Sequence, residues 1–180
     1  MANEQTQSAQ RGDVMKVSLR VKELRAVEQM RGSFEVLKDV PKPPFTAMLP
    51  MPTWDFERAT DDKQLRVIGR FSFFGTTRPE DGSAPNEADA FVRADADFMI
   101  AYEMSEGPAF SDDDIRAFMQ INSTMNAYPF WREFVYSSLA RAGLATMLLP
   151  PFNPIKAVRD LKDQSQLQTK KTASLEKSSE

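Results

Sequence analysis

The chain has 180 residues, 41% of them hydrophobic and 27% charged, with a formal net charge of −3, which bounds it to one ordinary globular domain with tails. It contains no cysteine and no histidine, so disulfides, thiolate nucleophiles, imidazole bases and the commonest transition-metal ligands are excluded together. No run reaches the ~18 apolar residues of a membrane span, and eleven acidic residues face one base, Arg93, between Glu80 and Asp114, which opposes nucleic-acid binding there.

The start, "MANEQTQSAQRGD", is polar and lacks the apolar core of a signal peptide, so the expected address is the cytoplasm. Residues 1–12 and 163–180 are expected as disordered ends, and 13–162 as a single domain. Residues 14–31 read two ways: Val14, Val17, Val21 and Leu24 fall at helical spacing, whereas Val17, Leu19 and Val21 alternate as in a strand. The pattern by itself favours helix. Lys16, Arg20, Lys22, Arg25 and Arg31 are interleaved with Glu23 and Glu28, as on a solvated face.

From Val36 to Pro52 the sequence is "VLKDVPKPPFTAMLPMP". Its prolines exclude a helix and confine any pairing to a sheet edge. Such an apolar connector is unusual, because loops are normally polar and exposed; it is expected to be a core flap or a binding surface. Two strands follow. In "LRVIGRFSF" one face carries Leu65, Val67, Phe71 and Phe73 and the other Arg66, Arg70 and Ser72, with Gly69 expected to mark a bulge. In "AFVRADADFMIAYEM" the even positions from Ala90 to Met104 are apolar and the odd face is charged, as in a half-buried antiparallel strand. "GTTRPEDGSAPNEA" joins the two as an exposed hairpin loop.

The period then changes to helical. Ser111 and Asp114 form a capping-box signature, and the Asp112–Asp114 run suits a helix N-terminus better than a metal site. Ile115, Phe118, Met119, Ile121 and Met125 give the apolar stripe. Pro129 is expected to break or kink the helix, with Asn126 capping a second segment. That segment is expected to bury Phe130, Trp131, Phe134, Val135, Ser138, Leu139 and Ala142 and to stop at Gly143. A weaker helix with Ile155, Val158 and Leu161 inward is expected after Pro154. Strands first and helices after is an α+β arrangement.

The stretch "NAYPFWREFVYSSLARAGLATMLLPPFNP" resembles the SecB family of export chaperones, through Asn126, Tyr128, Pro129, Phe130, Arg132, Glu133, Ser138, Arg141, Gly143, Leu148, Pro151 and Asn153. The resemblance extends backwards: the two amphipathic strands are similar to the family's third and fourth, the Pro-rich segment to its crossover loop, and residues 19–31 to its first strand, against the helical reading. It implies a four-stranded antiparallel sheet with helices packed on one side, assembled as a dimer of dimers. It further implies an ATP-independent holdase that binds unfolded polypeptides in apolar grooves, with no cofactor and no metal.

Ten methionines and thirteen phenylalanines suit that role, because Met repacks around varied side chains. The expected client-binding residues are Phe45, Met48, Leu49, Met51 and Trp54 in the crossover region and Leu148, Leu149 and Phe152 at the hinge. Tyr128, Pro129, Phe130, Arg132 and Glu133 are expected to be structural or to serve assembly, with Arg132 and Glu133 forming an ion pair or a carbonyl cap rather than a catalytic pair. Neither a general base near neutral pH nor a phosphate-binding glycine loop is visible, so the chain is not expected to be an enzyme.

Two departures from the family pattern weaken the expectation of docking on the translocase motor SecA. Glu28 stands at an expected acidic position of the first strand, but Gly32 occupies the second, and the tail from Lys170 is not acidic. A branch of the family protects an aggregation-prone antitoxin, and a dedicated chaperone of that kind is the alternative. A non-chaperone α+β binding module for a small apolar ligand or a folded partner is the rival from another class.

Overall fold

The computed structural model describes residues 13–42, 45–59, 63–77, 79, 83–144 and 149–154. The expected disordered ends, the weak helix after Pro154 and Leu148 lie outside these residues. The chain divides into a compact unit Met1–Pro150 and a second unit Pro151–Glu180.

Between Asp13 and Val36 both competing readings have a share. Val14–Ser18 is a single helical turn, α1, with Asp13 accepting from the Met15 N–H and Val17 fully buried. The chain then becomes a long strand, β1 (Val21–Val36). Three register shifts, at Val21/Glu23, Leu24/Ala26 and Gln29/Arg31, interrupt its pairing with β5 (Val92–Met104). Each bulge inserts one residue, so successive residues on one face stand three apart instead of two. Val21, Leu24 and Val27 pair with Met104, Tyr102 and Ile100 across two such steps. That is the origin of the helical spacing in a segment that is extended.

The sheet order is β1-β5-β4-β2, all antiparallel, with β4 spanning Gln64–Thr77 and β2 Phe45–Met48. The outer position beside β4 is filled by two short strands. β2 (Phe45–Met48) pairs with Phe74–Thr77, and β3 (Thr53–Arg58) pairs with Leu65–Arg70. Pro50 and Pro52 lie between them and cannot donate to a ladder, so the edge is broken where the prolines fall. The expected second strand is therefore delivered in two pieces, and the Pro-rich connector carries the chain from one edge of the sheet to the other.

The even residues of β5 are buried and the odd ones half-exposed, as the alternation predicts. On β4, Leu65, Val67, Phe71 and Phe73 are buried. Gly69 is not a bulge: it pairs in regular register with Phe98. The glycine is required because the Trp54 ring lies against it, and a Cβ there would stand 2.5 Å from the indole.

The capping box of Ser111 and Asp114 opens α2 (Asp112–Phe118). A π-helical turn, Met119–Ser123, leads into α3 (Thr124–Arg141) without interruption. Pro129 sits inside α3 and does not break it. Proline removes the hydrogen bond to the carbonyl four residues back, that of Met125, a residue that is 48% exposed. Asn126 is no cap. Its Nδ2 donates to the Tyr102 hydroxyl (3.0 Å), which donates to Ser123 Oγ (3.0 Å), tying the helix to the middle of the sheet.

Ala127, Trp131, Val135, Ser138 and Leu139 form the buried stripe of α3. Phe130 is 50% exposed and Ala142 is exposed, while Phe134 is half-buried. Phe130 precedes the Trp131-Val135-Leu139 row and faces away from it. The helix ends as expected: Gly143 has φ 66°, and the bonds Leu144 N–H to Leu139 O and Gly143 N–H to Ala140 O form a Schellman closure.

Candidate functional site

The structure distributes the predicted client-binding residues over two faces of the sheet. Pairing sets the faces, because directly opposed residues in an antiparallel ladder point the same way. Phe45 is opposite Thr77 and Trp54 opposite Gly69, on the side that carries the helices. Phe45, Leu49 and Trp54 pack half-buried against the core. Met48 is opposite Phe74, on the other side. Met51 joins Pro50 and Thr53 at a cleft of about 570 Å³ on that same outer face.

On the helix side, aromatic contacts step across the sheet from β3 to α3. Trp54 meets Phe71 edge-on at 5.8 Å, Phe71 meets Trp131 at 5.7 Å, and Trp131 stacks on Phe134 at 5.8 Å. Phe45 leans on Phe91 at 5.1 Å. Phe134 in turn lies over Gly32, where a Cβ would come within 2.8 Å of its ring. A larger side chain at position 32 would collide with that ring. Half-exposed Phe56, Tyr128, Tyr136 and Leu144 continue this apolar rim.

The hinge is held by a pair of tyrosines one turn either side of Arg132. Tyr128 Oη donates to the Pro150 carbonyl (2.6 Å). Tyr136 Oη donates to the Leu149 carbonyl (3.2 Å) and accepts from the Leu149 N–H (2.9 Å). Leu149 itself is 2% exposed. It is a core residue, not a groove wall. Burial pushes the Tyr128 hydroxyl pKa up. Arg132 does not pair with Glu133. Its Nη2 donates to Tyr136 Oη (3.2 Å) and its guanidinium stacks on that ring at 5.4 Å. Pro129 and Glu133 are exposed. Phe152 belongs to the second unit.

The outer face is a mosaic of paired charges. Glu103 takes Lys22 and Arg25, Asp97 takes Arg31 (2.7 Å), Asp55 takes Arg70 (2.7 Å), and Asp95 takes Arg93 (2.6 Å). Burial pushes the Asp95 carboxyl up, but hydrogen bonds from Arg93 and Ser72 outweigh it and hold the pKa below the ordinary range. Among the described residues no group of three or more Asp or Glu is placed to hold a metal, and no helix is long and apolar enough to cross a membrane.

Sequence reasoning missed the tyrosine clasp and the two-faced placement of the Pro-rich segment. The i, i+4, i+8 spacing of Tyr128, Arg132 and Tyr136 was a usable signal for the first. The second depends on which residue of β2 pairs with which of β4, and a short strand between prolines does not reveal that.

No family model matches the sequence, and no curated protein compared with it matches either. Among solved structures, the chain is similar to a SecB-like chaperone of Mycobacterium tuberculosis, solved in complex with a ChAD peptide from the HigA1 antitoxin. The TM-score is 0.62 at 19% identity, over 77% of this chain and 95% of that one. An α+β unit with an antiparallel sheet, a proline-broken edge and helices on one side is thus the fold of a SecB-like chaperone, in a divergent sequence.

Proposed function

We propose that this protein is an ATP-independent holdase that binds non-native polypeptides in the cytoplasm through the apolar rim on the helix side of its sheet. The observation that carries the reading is the row from Trp54 through Phe71 and Trp131 to Phe134, whose two ends are half-exposed and whose middle is core. An extended client offers many weak apolar contacts, each worth up to about 1.5–3 kcal/mol when fully buried. It also loses chain entropy on binding, so it needs a long surface rather than a deep pocket. Phe45, Leu49 and Trp54 are the proposed contacts from the crossover segment. The absence of histidine and cysteine fits a role without chemistry.

Self-assembly belongs to the same proposal. β1 is a 16-residue edge strand that exposes Leu24, Met30 and Val36, and α3 exposes Met125 and Phe130. A long edge of this kind invites pairing with another copy, and a dimer or tetramer is the expected form. Docking on SecA has weaker support, because the outer-face carboxylates of Asp95, Asp97 and Glu103 already hold cations.

A dedicated chaperone of one antitoxin is the second reading, favoured by the antitoxin peptide on the structural neighbour. Light scattering of several unrelated unfolded proteins, with and without this protein and in the absence of ATP, separates the readings. Broad suppression of aggregation supports the general holdase, protection of one chain supports the dedicated form, and no protection supports a binding module of another kind.

A further inference from the structure

Among the described residues, three buried side-chain polar atoms have no hydrogen-bond partner: Trp54 Nε1, Gln120 Oε1 and Arg132 Nε. Arg132 still bonds Tyr136 through its Nη2, and a glutamine keeps its amide nitrogen. An indole has a single donor and no acceptor, so Trp54 is left with no bond at all. The position is the more unusual because the side chain is half-exposed while its donor is covered. The ring is seated over Gly69 and against the edge of Phe71, which supply apolar contact and no acceptor. A covered donor without a partner raises the free energy of that seat.

We infer that the Trp54 indole N–H is a hydrogen-bond donor for the main-chain carbonyl of an extended polypeptide lying beside β3, reached when the ring turns outward from Gly69. The inference rests on the holdase reading and names one of its polar contacts. The acceptor is assigned to the main chain because every residue of any client carries a carbonyl, whereas side chains vary. Trp54 stands on an edge strand whose described pairing is with β4 alone, so a chain can run along its outer side.

The sequence contains two tryptophans, so an NMR spectrum of the native 180-residue chain shows two indole N–H signals. Titration with reduced, carboxymethylated α-lactalbumin, an unfolded chain that stays in solution, should move the Trp54 indole proton downfield. Trp131, 1% exposed, should stay in place. Trp54→Phe keeps an aromatic ring and removes the donor; it should weaken binding about tenfold, the loss of one buried hydrogen bond, by the same factor for unrelated polypeptides. Binding with an unmoved Trp54 signal, or a Phe variant that binds as tightly as the native chain, overturns the inference and leaves the holdase reading standing. A loss confined to one client sequence points to a side-chain acceptor and also overturns it. Failure of the native chain to bind any unfolded polypeptide removes the holdase reading together with the inference.

Discussion

Replacing Leu149 with Ala tests whether the hinge is core or binding surface. The side chain is 2% exposed, and hydrogen bonds from Tyr128 and Tyr136 hold the backbone at Leu149 and Pro150. A site pinned in this way cannot collapse readily around a cavity, so the cost should be about 3 kcal/mol, inside the range for buried Leu→Ala changes. With a urea m-value of about 2 kcal/mol/M, the unfolding midpoint should fall by about 1.5 M at fixed protein concentration. Leu49→Ala, at a half-exposed position, should cost less than about 1.5 kcal/mol by loss of partial burial. Client affinity of the Leu149 variant, measured below its new midpoint, should stay within a few-fold of the native value. An unchanged midpoint combined with lost client binding would refute the assignment of Leu149 to the core and return it to the groove.

Asp114 accepts from the N–H groups of Asp13 (2.6 Å) and Ser111 (2.8 Å), and its pKa is lowered from 3.8 to about 2. A depressed folded-state pKa gives stability that is present above the unfolded value and lost as pH falls through the folded one. The stability gap between the native chain and Asp114→Asn should therefore shrink as pH falls from about 4 to about 2, in urea titrations at each pH. Tyr102→Phe leaves Asn126 Nδ2 without its acceptor and Ser123 without its donor, and should cost about 1–3 kcal/mol by the same denaturation assay. Gly143→Ala should cost about 1 kcal/mol from backbone strain alone, because φ is 66° and nothing lies within 4 Å of the added Cβ. Gly143→Asn should recover part of that loss.

Much of the fold is legible in the sequence wherever one physical constraint acts by itself. The alternation in β5 survives because both its neighbours pair with it, and the Ser111-Asp114 box and Gly143 are local signals fixed within one turn of chain. Legibility fails where two constraints overlap. Bulges in β1 turn a period of two into steps of three. Proline sits inside α3 without ending it, where the residue whose carbonyl it leaves is exposed. Gly69 reads as a bulge in its strand, yet it is the place where the Trp54 ring touches the sheet, as Phe134 does at Gly32. The apolar character of the crossover segment was legible as composition around its prolines. Its division between two faces was not, since one residue of register decides whether Met48 or Leu49 meets the core.

On the proposed function, the helix side of the sheet, not its ion-paired outer face, takes the polypeptide. Photo-crosslinking decides this most directly, with a benzophenone side chain placed singly at Leu49 on the helix side and at Met51 or Arg66 on the outer face, each mixed with an unfolded client. Adducts are expected from position 49 and none from 51 or 66; adducts from 51 or 66 with none from 49 would place the client on the outer face instead.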